Sequence, residues 1–154
     1  TPGQVPLPLA RGRLAFIKQA SVAVDGGAHG RGYLYASQPI DPQDWYFPYH
    51  FTGDPVMPGS LGVEAVLEGV KVLALAKGLE NGFRAPRFAL ASETCTSWRY
   101  RGQITPAHRR MELEVHLREA TQNEAGLTLF ADASVWIDGL RIYEVKNASV
   151  RMME

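Results

Sequence analysis

The amino-acid sequence predicts an α+β fold in which one long central helix is wrapped by a strongly curved antiparallel sheet. The first observation is the run 60–77, whose apolar side chains point nearly all round a helix. Such a helix is buried on most of its faces. The second observation is that segments with the polar–apolar alternation of strands come both before and after this helix. One sheet packed around a single buried helix accounts for this order of elements.

The strand-like segments form a hairpin ahead of the helix and a longer series after it. Residues 18–24 and 29–40 are predicted strands, and the Asp-Gly-Gly sequence at 25–27 is the turn between them. Tyr33 and Tyr35 share one face of the second strand. Gly78 is the expected end of the helix. After it we predict extended segments over 83–101, 111–120, 127–137 and 140–152, with turns at 122–126 and 138–139.

An aromatic segment joins the hairpin to the helix. Asp41 followed by Pro42 is typical of a helix cap, so residues 45–49 are predicted to form a short helix or turn. The segment carries Trp45 and Phe47. These side chains are either a wall over a binding site or anchors in the core.

Composition and length limit the class of protein. The chain has 154 residues, which favours one domain, over 13–154. Its formal net charge is +0, which indicates no nucleic-acid partner. No apolar run approaches the roughly 18 residues that cross a bilayer, so no membrane partner is expected. Residues 1–12, rich in proline and glycine, are predicted to be a linker or an extended arm, with a disordered terminus as the alternative. The first residue is not Met, so we expect a processed chain or a piece of a larger polypeptide.

A single cysteine, Cys95, excludes an internal disulfide and fits a reducing compartment. There is no pattern of a signal peptide. The sequence therefore predicts a cytoplasmic protein.

The segment before and inside the start of the helix combines groups suited to acid–base chemistry. His50 precedes a rigid Pro58-Gly59-Ser60 turn, after which the helix begins with unpaired, positively polarised N–H groups. Glu64 follows one turn into a run that is otherwise apolar, where a carboxylate is costly unless it is paired or useful. A base, an anion-binding helix end and a carboxylate thus lie within one short stretch.

The other three histidines are expected to be solvated or structural. His29 lies at the predicted hairpin turn, His108 follows Pro106 in a loop, and His116 lies in a strand of alternating charge.

The stretch forms one continuous motif, His50-Phe51-x-x-Asp54-Pro55-Val56-Met57-Pro58-Gly59-x-Leu61-Gly62-x-Glu64-Ala65. This motif resembles the active-site segment of the β-hydroxyacyl-acyl-carrier-protein dehydratases of hot-dog fold. It is similar to the β-hydroxydecanoyl type and to the dehydratase domains of polyunsaturated fatty acid and polyketide synthases. A looser resemblance spans the chain from about Lys18 to Met152, including Trp45-Tyr46-Phe47 and residues 137–143.

The resemblance implies a hot-dog fold, an acyl carrier protein that delivers the substrate, and no cofactor or metal. It implies that His50 removes the α-proton of a 3-hydroxyacyl thioester, that the Gly59 N–H polarises the thioester carbonyl, and that Glu64 protonates the leaving hydroxyl. In relatives the histidine and the acid meet across an interface, so a homodimer or a pair with a second hot-dog domain is expected. The residues expected around the substrate are Phe51, Val56, Ser60, Trp45, Phe47 and Glu68.

Two residues depart from the family pattern. Glu68 stands where close relatives carry Gln, and its charge either helps Glu64 to act as an acid or misplaces it. Ser60 replaces the Cys of the decanoyl enzyme, which we interpret as neutral.

Three alternatives stay open. The chain could hydrolyse an acyl thioester, it could hydrate instead of dehydrate, or it could be a non-catalytic hot-dog domain within a synthase. An added 2,3/3,4-enoyl isomerase activity is equally compatible with these residues.

Overall fold

One long helix, α1 (Gly59–Ala76), packs against an antiparallel sheet in the computed structural model, which describes Leu9 and residues 11–154. The sheet has seven strands within these described residues. Short 3-10 helices lie at Gly12–Leu14 and Leu79–Gly82. The strands are β1 (Ala20–Ala23), β2 (Tyr33–Pro39), β3 (Arg87–Leu90), β4 (Ser97–Tyr100), β5 (Arg110–Asn123), β6 (Gly126–Ile137) and β7 (Leu140–Met153).

The strand order along the sheet is β1-β2-β5-β6-β7-β3, and β4 also pairs with β7. The register shifts between Leu117 and Glu119 where β5 meets β6, and twice more where β6 meets β7. Such bulges bend strands and increase their twist, which lets the long strands curve around the helix. The predicted α+β class, with a sheet around a central helix, is confirmed.

The core lies between α1 and the concave face of the sheet. Val66, Val70 and Leu73 of the helix are fully buried, and so are Leu34, Val115 and Leu129 of three strands. Full burial of each such side chain contributes about 1.5–3 kcal/mol. This burial accounts for the apolar residues on the inner side of the helix. Other apolar residues of α1 are only half-buried: Leu61, Val63, Leu67, Val72 and Leu75. No helix in the described part of the chain has the length and apolar character needed to span a bilayer.

Most element boundaries agree with the sequence-based expectations. The helix begins and ends one residue earlier than predicted, and Gly78 follows it in the left-handed conformation at φ 69°. The two-residue turn at 138–139 has positive φ at Asp138 and Gly139, 49° and 85°, as a tight hairpin requires. Residues 45–49 form turns rather than a helix.

Two extended segments are shorter than predicted. The strand expected over 29–40 starts only at Tyr33, because Gly30 and Gly32 have positive φ and the Gly32 N–H bonds back to the Gly26 carbonyl at 3.0 Å. The extended stretch expected over 83–101 is broken into β3 and β4. Thr94 causes this break, since its N–H and its hydroxyl both bond to the Ala91 carbonyl and form a turn. The arm predicted over 1–12 lies mostly outside the described residues.

The first turns of α1 approach β7 very closely. A Cβ atom built on Gly62 would lie 2.0 Å from Cε2 of Tyr143, a separation that side chains do not tolerate. Glycine is therefore required at position 62 by the packing of the helix on the sheet rather than by its backbone conformation.

Replacing Gly62 with Ala is expected to destabilise the protein. Overpacking costs about 1–3 kcal/mol, which exceeds the gain of about 1 kcal/mol from the better helix propensity of Ala. We expect calorimetry to show a melting temperature lower by about 3 °C or more. Gly82→Ala is the matched control, because nothing lies within 4 Å of its added Cβ. An equal effect of both substitutions would contradict the packing argument.

Candidate active site

The start of α1 presents free backbone donors. Pro58 is the N-cap residue at φ −53° and ψ 130°, and no side chain caps the helix. The Leu61 N–H bonds to the Pro58 carbonyl at 3.0 Å. The Gly59 and Ser60 N–H groups lie ahead of any carbonyl that the helix could offer them, so they are available to an oxygen that carries negative charge.

His50 is held close to this helix start by its own backbone. Its N–H bonds to the Tyr46 carbonyl at 3.1 Å, and its carbonyl accepts the Val56 N–H at 3.2 Å, three residues before the helix. The imidazole ring lies 4.2 Å from the Phe51 ring between centroids. Within the described residues its Nδ1 atom is buried and has no hydrogen-bond partner. Buried polar atoms are rarely unpaired, so this ring is a strong candidate for binding a ligand or transferring a proton.

The neighbours of His50 differ in their environments. Phe51 has a positive φ of 35°, which is uncommon for a bulky residue, and its ring is largely exposed. Val56 and Met57 are buried, and the Met57 N–H bonds to the Ile104 carbonyl at 2.8 Å. Ser60 is exposed on the first turn of α1.

The two aromatic residues ahead of His50 lie in different places. Phe47 belongs to the core, which corresponds to the second interpretation of this segment. Trp45 is half-buried, donates its ring N–H to the Arg13 carbonyl at 3.2 Å, and lines an open cleft of about 560 Å³. The described lining of this cleft contains neither His50 nor Glu64.

Glu64 is half-buried and faces the edge of the sheet. It lines a cleft of about 180 Å³ with Lys71, Phe88 and Leu90, among others. Within the described part of one chain, no hydrogen bond or ion pair joins the Glu64 carboxylate to the His50 ring. The His50 backbone is thus bonded to the segment just before Gly59 and Ser60, whereas Glu64 lines a cleft whose described lining does not contain His50.

Glu68, one turn after Glu64, binds the N-terminal segment. Its side chain is buried, with 5% exposed, and one carboxylate oxygen accepts the N–H groups of Phe16 at 2.8 Å and Ile17 at 3.2 Å. Burial raises the pKa of Glu68 above its usual value. The two N–H groups and the nearby Lys71 oppose this rise, and the charge of Glu64 adds to it.

The remaining histidines have structural partners, in line with the expectation for them. His29 lies 3.3 Å from Asp132, and His108 Nδ1 accepts the Thr105 N–H at 2.9 Å. His116 Nδ1 accepts the Ala28 N–H at 2.9 Å.

Across the described residues, no group of His, Cys, Asp and Glu side chains is arranged to hold a metal ion.

An aromatic cluster at the helix start has no signal in the sequence. Trp98, Tyr100 and Tyr143, called here the first-turn cluster, contact one another with ring centroids 5.2–5.5 Å apart. A Cβ atom on Gly59 would lie 2.8 Å from Trp98 Cη2, and the Tyr143 hydroxyl donates to the Gly59 carbonyl at 3.3 Å. These residues come from β4 and β7, far along the chain, so no local spacing connects them with the helix.

Comparisons with known proteins agree on a family. A family model described as a FabA-like domain matches residues 9–146. One of the polypeptides of the polyunsaturated fatty acid synthase of Thraustochytrium sp. (strain ATCC 26185 / S-3) is 36% identical over 143 residues. That match covers 89% of this chain and 9% of the synthase polypeptide, so the chain spans a small part of that relative.

Two solved structures share the fold. The dehydratase heterocomplex ApeI:P from Xenorhabdus doucetiae superimposes with a TM-score of 0.63 at 9% identity, over 94% of this chain and 87% of that one. A hypothetical thioesterase with coenzyme A from Streptococcus pneumoniae TIGR4 gives a TM-score of 0.56 at 8% identity, over 91% and 90%. The fold is the hot-dog fold, as the resemblance implied.

Replacing Glu68 with Gln is expected to change how stability depends on pH. Because the folded-state pKa of Glu68 is raised, its contribution to stability is fully present below its ordinary pKa of 4.5 and is lost as pH rises through the folded value. Gln stays neutral and still accepts the two N–H groups. The free energy of unfolding of Glu68→Gln should therefore rise relative to wild type as the pH increases above 4.5.

Urea denaturation at stepped pH measures this difference. Glu124→Gln, at an exposed turn residue, is the control and should run parallel to wild type. A Glu68→Gln curve that stays parallel as well would show that Glu68 is ionised without penalty.

Proposed function

Because the chain belongs to the FabA-like domain family of dehydratase-like hot-dog proteins, we propose that it dehydrates a 3-hydroxyacyl thioester to a 2-enoyl thioester in fatty acid or polyketide biosynthesis. The observation that carries this proposal is the buried, unpartnered Nδ1 of His50, whose backbone is bonded to Val56, three residues before the free N–H groups at the start of α1. A proton acceptor and an oxyanion site within one segment are what α-proton abstraction from a thioester needs.

Each group has a role in the proposed reaction. The Gly59 and Ser60 N–H groups bind the thioester oxygen and stabilise the enolate that develops there. Neutral His50 takes the α-proton, and protonated Glu64 gives its proton to the β-hydroxyl, which leaves as water while the double bond forms. The cycle closes when His50 loses its proton and Glu64 regains one.

We propose that the complete site forms between two hot-dog units, either two copies of this chain or this chain and a second hot-dog domain. Glu64 opens into the cleft beside β3, which is the last strand in the sheet order. Leu90 of β3 is 79% exposed, an unusual position for a large apolar side chain on a strand at the sheet edge. Pairing along this edge would cover Leu90 and bring Glu64 of one unit to His50 of the other.

The carrier of the substrate follows from the proposed pathway. We infer that an acyl carrier protein presents the thioester, that residues 13–154 act as one domain, and that the setting is the cytoplasm. The exposed, unpaired Cys95 is consistent with such a reducing setting.

His50→Ala and Glu64→Gln are each expected to lower turnover by at least about 100-fold, because a positioned acid or base contributes about 10²–10⁴-fold. The assay follows a 3-hydroxyacyl-carrier substrate by mass spectrometry in both directions, so that loss or gain of water is seen directly. His108→Ala is the matched control and should keep its turnover. Circular dichroism must show the same fold for every variant.

Other outcomes would overturn the proposal. Release of free acid by the unsubstituted protein would move the activity to thioester hydrolysis. Full turnover by folded His50→Ala would remove His50 from the chemistry.

Mixing His50→Ala with Glu64→Gln tests the shared site. If His50 of one copy works with Glu64 of the other, each mixed dimer has one intact site and one doubly substituted site. Random exchange makes half of the dimers mixed, so about one quarter of wild-type turnover should return. No recovery, although exchange of protomers is demonstrated, would show that each site is built from one chain or with a different domain.

Leu90→Lys is expected to weaken the pairing and to lower turnover in parallel, because it places a charge on the proposed contact edge. Analytical ultracentrifugation measures the dissociation. Leu140→Lys is the control, since Leu140 is also largely exposed but lies at the β6–β7 turn. A dimer unaffected by Leu90→Lys would argue against pairing along β3.

A further inference from the structure

We propose that Tyr143 is a positioning residue for the oxyanion site, acting through the Gly59 carbonyl on the direction and strength of the Ser60 N–H donor. This inference rests on the proposed function, since it assigns a task to a residue outside the segment 50–64.

The contact that carries the inference joins β7 to the first residue of α1. Tyr143 is 1% exposed, and its hydroxyl donates to the Gly59 carbonyl at 3.3 Å, which is longer than the roughly 2.5–3.0 Å usual for an O–H···O bond. That carbonyl and the Ser60 N–H belong to the same planar peptide group. Holding the carbonyl oxygen therefore fixes the direction in which the Ser60 N–H points.

The same contact strengthens the donor. A hydrogen bond accepted by a peptide carbonyl polarises the whole peptide group, and this raises the donor strength of its N–H. The effect adds to the positive potential of the helix N-terminus at the place where enolate charge is proposed to develop. Tyr143 can act in this way only as a protonated phenol. Burial raises the pKa of Tyr143 well above its usual value, so the hydroxyl keeps its proton at physiological pH.

Packing leaves the Tyr143 ring little freedom to move. Its Cε2 atom is the atom closest to a Cβ built on Gly62, and its ring also contacts Trp98 and Tyr100. Trp98 in turn occupies the space that a side chain on Gly59 would need. Two glycines of the helix start thus make room for the first-turn cluster, and the cluster fixes the hydroxyl against the Gly59 peptide.

Tyr143→Phe separates positioning from packing, because the ring stays and only the hydroxyl is removed. Tyr33→Phe is the matched control: the Tyr33 hydroxyl donates to Glu114 at 3.0 Å between two sheet strands, away from the helix start. For Tyr143→Phe we expect kcat to fall about three- to tenfold with KM changed less than about twofold, since the lost interaction matters most in the transition state. Tyr33→Phe should leave both constants within about twofold of wild type.

A second measurement does not depend on turnover. In the free protein, the amide proton signal of Ser60 in two-dimensional NMR should move upfield in Tyr143→Phe and stay in place in Tyr33→Phe, because the polarising hydrogen bond is lost only in the former. A Ser60 signal that does not move overturns the inference whatever the kinetics. A signal that moves without any fall in kcat overturns the catalytic part of it.

Failure of the proposed function would look different. In that case the unsubstituted protein would not interconvert the 3-hydroxyacyl and 2-enoyl thioesters at all, and the role of Tyr143 in turnover would fall with it. If the wild-type protein is active, Tyr143→Phe is equally active and the Ser60 signal does not move, the inference about Tyr143 is overturned while the proposed function stands.

Discussion

A helix packed against a sheet uses its backbone groups for its own hydrogen bonds and has free donors only in its first turn, and this constraint organises the molecule. Val66, Val70 and Leu73 are fully buried because the curved sheet closes around α1. The backbone groups along the helix are consumed by its own hydrogen bonds, so its free donors are those of its first turn. Pro58 starts the helix without a capping side chain, which keeps these donors free. The glycines at 59 and 62 let the start of α1 pack closely against Trp98 and Tyr143. The donors of the first turn stay uncapped at the same time.

The two carboxylates on α1 show how one turn of helix separates two environments. Glu68 is buried and is bonded to the backbone of Phe16 and Ile17, which offsets part of the cost of burying its charge. Glu64 is half-buried and lines the cleft next to β3 together with Lys71. From this cleft the Glu64 carboxyl group is accessible to a ligand. The N-terminal segment thus binds the side chain at position 68 through a contact that Gln would also make. It places the second carboxylate in a structural contact and leaves the first for the proposed chemistry.

Local patterns predicted the elements that local interactions determine. The helix could be located to within one residue because its apolar residues recur at helical spacing and Gly78 ends it. The candidate residues His50, Gly59 and Glu64 could be proposed from the sequence because they lie in one continuous segment. Tyr143 and the Glu68 contact to Phe16 could not be found in this way, since each joins elements that are distant along the chain. The break between β3 and β4 was missed for another reason: a single Thr94 turn interrupts an extended pattern without a Gly or Pro to mark it.

The bonds from Glu68 to Phe16 and Ile17 also have a mechanical consequence. Residues 16 and 17 cannot separate from α1 unless two hydrogen bonds to a buried carboxylate break together. A pulling force applied to the chain ahead of Phe16 is therefore transmitted to the middle of the helix, one turn from Glu64, and bypasses the turns at 24–32. The contact therefore couples the segment at Phe16 and Ile17 mechanically to α1.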